Sequence, residues 1–156
     1  MADLEALEDW AGALLRKLQP AERAKLARSL AVELRRSQQQ RVLAQQNADG
    51  TRYAPRKTRN LRGKKGRIKR KVKMFQKLRT ASYLKARGDG NAISVGFTGR
   101  VARIARVHQY GLRDRAERGA REVKYSDREL LGLTKTDLDM IQNGLLMHLT
   151  RQLTHA

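Results

Sequence analysis

Apolar positions along the chain recur at two spacings. Leu4, Leu7, Ala11, Leu14 and Leu18 fall three or four residues apart and predict an amphipathic helix. Asp3 suits its N-cap and Glu5 its first turn. Pro20 stands where a first helical position would be. From there Leu26, Leu30 and Leu34, with Ala27 and Ala31 beside them, predict a second helix running into the Gln-rich segment 38–46. The two helices read as a hairpin covering a core. Asn47-Ala48-Asp49-Gly50 is a turn, because Asn and Asp tolerate left-handed geometry and Gly prefers it. Tyr53 and Pro55 give an extended exit.

Between Ile93 and Gly111 the spacing changes. Ile93, Val95 and Phe97 alternate with Ser94 and Gly96, the period of a strand with one buried face. Thr98-Gly99 breaks it. Val101, Ile104, Ala105, Val107 and His108 then repeat as on a helix, with Arg100, Arg103 and Arg106 on the other side and Gly111 just past the end. Upstream, Met74 or Phe75, Leu78, Ala81 and Leu84 predict a helix from about Val72, stopped at Gly88-Asp89-Gly90-Asn91. Downstream, Leu112 to Gly119 is charged and patternless and reads as a surface loop. Arg121 to Tyr125 reads as a short strand, the expected partner of 92–97. Leu130-Leu131-Gly132-Leu133 is expected to be a tight buried segment. Thr134 with Asp137 makes a capping box with Asp in place of Glu, opening a last helix whose face is Leu138, Ile141, Leu145, Leu149 and Leu153. The expected fold class is therefore α+β: an N-terminal helical hairpin, a small antiparallel sheet packed with helices, a long C-terminal helix and a flexible basic loop. The divisions are 1–46, 47–73 and 74–156, expected to form one compact domain.

Charge adds what hydropathy does not show. Residues 1–50 carry 8 basic and 7 acidic side chains, residues 51–73 carry 12 and none, and residues 74–156 carry 15 and 8. More than half of the net +20 thus sits in one short run. In that run Arg56, Lys57, Arg59, Arg62, Lys64, Lys65, Arg67, Lys69, Arg70 and Lys71 are interrupted by few apolar residues, so repulsion and ordering entropy favour a flexible arm. It would attract any polyanion with steep salt dependence. Only Tyr53 and Phe75 flank it, so it lacks the interleaved aromatics of a single-strand stacking platform. Its target is DNA, RNA or an acidic protein surface; a solvated loop without a specific partner is the bland alternative.

The search for catalytic groups is nearly empty. The histidines are His108, His148 and His155, and no pair has metal-ligand spacing. No serine lies in a Gly-x-Ser-x-Gly context, and there is no Walker A loop or Gly-x-Gly-x-x-Gly. His108 reads as a packing or hydrogen-bonding residue rather than a general base. The expectation is a non-enzyme with no cofactor and no metal. The chain has no cysteine, which fits a reducing cytoplasm, and no apolar run of membrane-spanning length.

Three segments in order resemble a known family. They are Asn47-Ala48-Asp49-Gly50-Thr51-Arg52-Tyr53-Ala54-Pro55, Ile104 to Gly111 with its His108-Gln109-Tyr110-Gly111 ending, and Leu130-Leu131-Gly132-Leu133-Thr134 followed by Asp137 and a long helix. With the N-terminal helices and the basic run between them, the chain is similar to the virion morphogenesis, or tail completion, proteins of contractile-tailed temperate bacteriophages. The match extends roughly from Leu4 to Leu153. The family often has Trp where Tyr53 stands, and Pro-Ala where Ser126-Asp127 precedes Arg128. The resemblance implies a structural virion protein made in the host bacterial cytoplasm that completes the tail and permits head–tail joining. It implies a homo-oligomeric ring, expected to be six-fold, at the head-proximal end of the tail. Its partners would be the tail tube or terminator and head-neck proteins, with phage DNA in the lumen within reach and no membrane. The basic arm with Arg100, Arg103 and Arg106 would make partner contacts. Asp49, Gly50, His108, Gln109, Tyr110, Gly111 and Gly132 would be structural. The rival reading is a non-specific nucleic-acid-binding protein using the basic 52–73 segment.

Overall fold

A computed structural model describes residues 2–16, 18–56 and 73–154. In chain order the elements are α1 (Ala2–Leu15), α2 (Pro20–Ala44), β1 (Leu84–Gly88), β2 (Ile93–Phe97), α3 (Arg100–Gln109), β3 (Arg113–Arg115), β4 (Glu122–Lys124) and α4 (Lys135–Thr154). The fold is α+β, its strands forming two antiparallel pairs, β1 with β2 and β3 with β4. The basic run from Lys57 to Lys71 lies outside the described residues.

α2 is the longest helix and the element that the others cover. It starts at Pro20, whose missing N–H costs nothing in a first turn. It ends at Gln45, which takes a left-handed conformation (φ 61°). Its inward face buries Leu26, Ala27, Leu30 and Ala31, and then, further along the same stripe, Gln38, Arg41 and Val42. β1, β2 and α4 pack on it, and α1 packs on α4. Two apolar cores result. One gathers Val42, Tyr53, Met74, Ala105 and Leu130, with Phe75, Leu78 and Phe97 at its edge. The other joins Ala11, Leu26, Leu30 and Leu145, with Trp10, Leu18, Ile93 and Ile141 against it. Burying each such leucine contributes about 1.5–3 kcal/mol. Gly144 is a contact point in the second core: a Cβ there would lie 2.6 Å from Leu30 Cδ2.

The helix expected from Val72 to Leu84 is not formed. Residues 74–83 make a run of turns, and Leu84–Gly88 is a strand. Phe75 takes a positive φ (64°), which a helix cannot propagate through. From Leu84 onward the chain gains a full ladder with β2, in register from Leu84↔Phe97 to Gly88↔Ile93. It also gains close seating on α2: a Cβ at Gly88 would lie 2.3 Å from the Ala27 carbonyl carbon. Apolar spacing over 78–84 suits a helix equally well, and these tertiary contacts decide against it. Gly88 to Asn91 is accordingly a hairpin turn. Asp89 Oδ1 accepts the N–H groups of Asn91 and Ala92 at 2.8 and 2.9 Å, and these bonds hold its carboxyl below the usual range.

The strand expected at 121–125 exists as β4, but its partner is β3 rather than the 93–97 strand. β3 arises inside the stretch expected to be a patternless loop. Arg113↔Lys124, Asp114↔Val123 and Arg115↔Glu122 form the ladder. Alternation then puts Leu112, Asp114, Val123 and Tyr125 on one side, and Arg103 of α3 ion-pairs with Asp114. On α3 itself Ala105 and Val107 are buried, but Ile104, expected on the covered face, is 45% exposed. The helix seats on β2, and Ala105 lies about 100° around the axis from Ile104.

α4 opens on the expected reciprocal cap. Asp137 Oδ2 accepts the Thr134 N–H at 2.9 Å and hydroxyl at 2.8 Å, while the Asp137 N–H donates to Thr134 Oγ1 at 3.1 Å. The Ser37 hydroxyl on α2 donates to Asp137 Oδ1, so the cap also fastens α4 to α2.

Candidate functional site

The three separated segments of the sequence meet at one place. α2 ends at Gln45, and the following turn is closed by the Gly50 N–H on the Asn47 carbonyl and the Asn47 N–H on the Thr51 carbonyl. Asp49 Oδ1 accepts both the N–H and the hydroxyl of Thr51, which holds its carboxyl below the usual range. Gly50 takes φ 85°, the reason a glycine stands there. The chain then crosses the first core through Tyr53, whose hydroxyl donates to the Glu129 carbonyl at 3.2 Å. Burial pushes the Tyr53 phenol up to about 12.

α3 delivers His108 and Gln109 to the same place. Gly111, at φ 59°, reverses the backbone so that the Leu112 N–H reaches the Val107 carbonyl at 2.9 Å. Beyond a Cβ on Gly111 there is only 3.0 Å to the Asp127 nitrogen. Gln109 braces the 130–131 backbone on three points. Its Oε1 accepts the N–H groups of Leu130 and Leu131 at 2.9 Å each, and its Nε2 donates to the Leu131 carbonyl at 2.8 Å.

His108 lies edge-on to Phe75 on one side and Tyr125 on the other, at 4.8 and 5.0 Å between ring centres. Arg128 stands 3.2 Å from its Nδ1. Since a guanidinium can only donate, Nδ1 accepts and the ring proton sits on Nε2. Burial first, and then the Arg128 and Arg56 charges, pull His108 down to about 4. It is a neutral packing residue, and its acceptor nitrogen is already engaged.

Sequence reasoning missed four members of this node. Arg128, buried, donates to the carbonyls of Ala54 (2.7 Å), Pro55 (2.9 Å) and Ser126 (3.3 Å) as well as facing His108. Glu129 Oε2 accepts the Ala48 N–H at 2.9 Å, and its own N–H donates to Asn47 Oδ1. On α2, Arg41 donates to the carbonyls of Glu129, Leu130 and Gly132 and to Gln38 Oε1. Gln38 Oε1 in turn accepts the Gly132 N–H at 3.1 Å. Gly132 has to be glycine, because a Cβ would lie 2.6 Å from Glu129 Oε1 and 2.8 Å from the Ala48 Cβ. One signal was available for Gln38 and Arg41: they continue the apolar stripe of α2 at helical spacing.

The candidate partner-contact residues are arranged differently. Arg100, Arg103 and Arg106 are exposed along the outer side of α3, and Tyr110, 67% exposed, continues that side. Arg56 is exposed where the described chain breaks off. Lys57, Arg59, Arg62, Lys64, Lys65, Arg67, Lys69, Arg70 and Lys71 lie outside the described residues. Among the described residues no group of acidic or histidine side chains could hold a metal, and no helix is long and apolar enough to cross a membrane. The geometry therefore consists of a dense polar knot beside a basic, aromatic-bearing outer surface.

Comparison with known proteins places the chain in a family along nearly its whole length. The profile of the phage virion morphogenesis family matches residues 2–150. Tail completion protein S of Escherichia phage P2 is 41% identical over 152 residues, which cover 97% of this chain and 100% of that protein. No solved structure matches the chain.

Proposed function

Because the chain belongs to the phage virion morphogenesis family, we propose that it is a tail completion protein, a structural component of the virion tail. The observation that carries this is the 41% identity to tail completion protein S along that protein's full length. In its finer form, the protein is a ring subunit at the head-proximal end of the tail, and the ring enables head–tail joining. The physical role is that of a rigid spacer with adhesive surfaces. The knot around Arg41, Gln109, Arg128 and Glu129 fixes α2, α3 and the 128–134 segment relative to one another. Arg100 and Arg106, exposed on the outer side of α3, and the basic side chains of the 56–73 sequence would then meet acidic neighbours.

Deleting the gene from the phage tests this. Lysates should contain filled heads and separate tails, and the infectious titre should collapse until the protein is supplied from a plasmid. Normal joined particles without the protein would refute the reading. A second reading, non-specific nucleic-acid binding, draws on the 12 basic and no acidic residues of 51–73. It expects DNA retention that weakens by orders of magnitude between low and moderate salt. Neutralising the basic side chains of 56–73 separates the two: tail completion through an acidic protein neighbour loses joined particles, whereas nucleic-acid binding loses DNA retention with particles intact.

A further inference from the structure

Two surfaces of the chain are opposite in charge, and one exposes an aromatic ring while the other has a groove. The first is the outer side of α3. It carries Arg100 and Arg106, with Arg103 between them already ion-paired to Asp114, and it ends in Tyr110, 67% exposed, with Ile104, 45% exposed, beside the arginines. Exposed Tyr and Arg together are the composition of an interface centre rather than of an ordinary solvated face. The second surface is a groove of about 300 Å³ between α1 and α4. It is lined by Ala6, Leu7 and Trp10 from α1 and by Leu138, Asp139 and Gln142 from α4. Lys135 at the groove pairs with Asp139 at 3.5 Å. α1 has four acidic residues and no basic one, and its Glu5, Glu8 and Asp9 are exposed. The groove thus has an apolar floor with room for a phenol ring, in a negative field.

We infer that α3 of one copy docks into the α1–α4 groove of the next, with Tyr110 entering the groove and Arg100 and Arg106 meeting Glu5 and Asp9. α1 and α4 belong to the second apolar core and α3 to the first, so the two surfaces are distinct patches. A contact between unlike patches of identical chains is head-to-tail, the kind that closes into a ring. A polyanion could neutralise the α3 arginines, but it would be repelled by the acidic groove, which only a basic surface complements. The inference rests on the ring-subunit reading and names the surfaces that would build the ring.

Reciprocal charge reversal in the deletion phage tests it. One variant carries Glu5→Lys and Asp9→Lys, the other Arg100→Glu and Arg106→Glu, which leaves the Arg103–Asp114 pair in place. Each alone should lower the infectious titre at least about tenfold, since like charges then face each other across the contact. Supplying the two together should restore it, because each reversed surface then finds its complement on the other variant. The chain has no cysteine, so Ala6→Cys with Arg106→Cys, which keeps Tyr110, gives an unambiguous crosslink. Oxidised particles should yield a ladder of covalent oligomers, and either single variant should not. Unchanged titres with no ladder, in particles holding several copies, would overturn the contact and leave the ring intact. Loss of titre without rescue on mixing, accompanied by loss of DNA retention, would assign the α3 face to nucleic acid and also overturn it. A single copy per particle would overturn the ring reading and the contact together.

Discussion

Replacing Gln109 with Ala removes one side chain and unpairs three backbone groups. The N–H groups of Leu130 and Leu131 lose their shared acceptor, and the Leu131 carbonyl loses its donor. Leu130 is fully buried, so water cannot replace the lost bond there, whereas Leu131 is half-buried and recovers part of its hydration. An unpaired buried group costs about 1–3 kcal/mol, so the sum is about 3 kcal/mol after allowing for hydration at Leu131. Against a typical total of about 5–15 kcal/mol, this is a large fraction. For a chain of this size it corresponds to a Tm lower by about 6–12 °C. Urea unfolding followed by far-UV circular dichroism measures it, with the denaturant slope expected to stay the same. Gln109→Glu is the informative companion. It keeps an acceptor for both N–H groups but sets a carboxylate oxygen against the Leu131 carbonyl, so it should cost about 2 kcal/mol or more, and the loss should shrink at low pH, where a protonated Glu can donate. If Gln109→Ala stayed within about 0.5 kcal/mol of the parent, the bracing role of Gln109 would be wrong, since that is the range of an inconsequential surface change.

His108 predicts a pH dependence. Its folded value of about 4 lies below the ordinary 6.5, so the unfolded chain binds the proton more tightly. Stability should therefore be complete above about pH 6.5 and decline toward pH 4; His108→Gln should flatten that slope in pH-dependent unfolding. Gly88→Ala should cost about 3 kcal/mol or more, because the added Cβ meets the α2 backbone rather than a movable side chain; soluble yield and thermal unfolding would report it. Asp137→Ala should lose about 2 kcal/mol, since it removes the α4 cap and leaves the Ser37 hydroxyl without its acceptor; a loss below about 0.5 kcal/mol in urea unfolding would contradict this.

Much of the fold was legible because local signals agreed with tertiary packing. Pro20 marks the start of α2, Thr134 and Asp137 form the reciprocal cap, and the alternation of Ile93, Val95 and Phe97 is a real strand. Legibility failed where two local readings were equally good. Leu78, Ala81 and Leu84 are spaced for a helix, and only the β2 ladder and the seating of Gly88 on α2 make Leu84–Gly88 a strand. Arg113 to Arg115 carry no apolar alternation at all; their strand exists because β4 lies opposite and Arg103 holds Asp114. At the polar knot, the motif residues His108, Gln109 and Gly132 were visible as sequence features. Their partners Arg41, Arg128 and Glu129 were not, because charged residues are ordinarily assigned to solvent. Here each is satisfied mainly by backbone groups 70 or more positions away, at separations of 88 for Arg41 to Glu129 and 74 for Arg128 to Ala54. No local pattern encodes that distance.

In the proposed role this protein completes the tail so that heads can attach. Tails isolated from a phage lacking it, mixed with filled heads and the purified protein, test this directly when joined particles are counted by electron microscopy. Few joined particles are expected without the protein and many with it, in proportion to the amount added until the tails are saturated. Heads and tails that stay separate in the presence of folded, stoichiometric protein, or that join equally well in its absence, would contradict it.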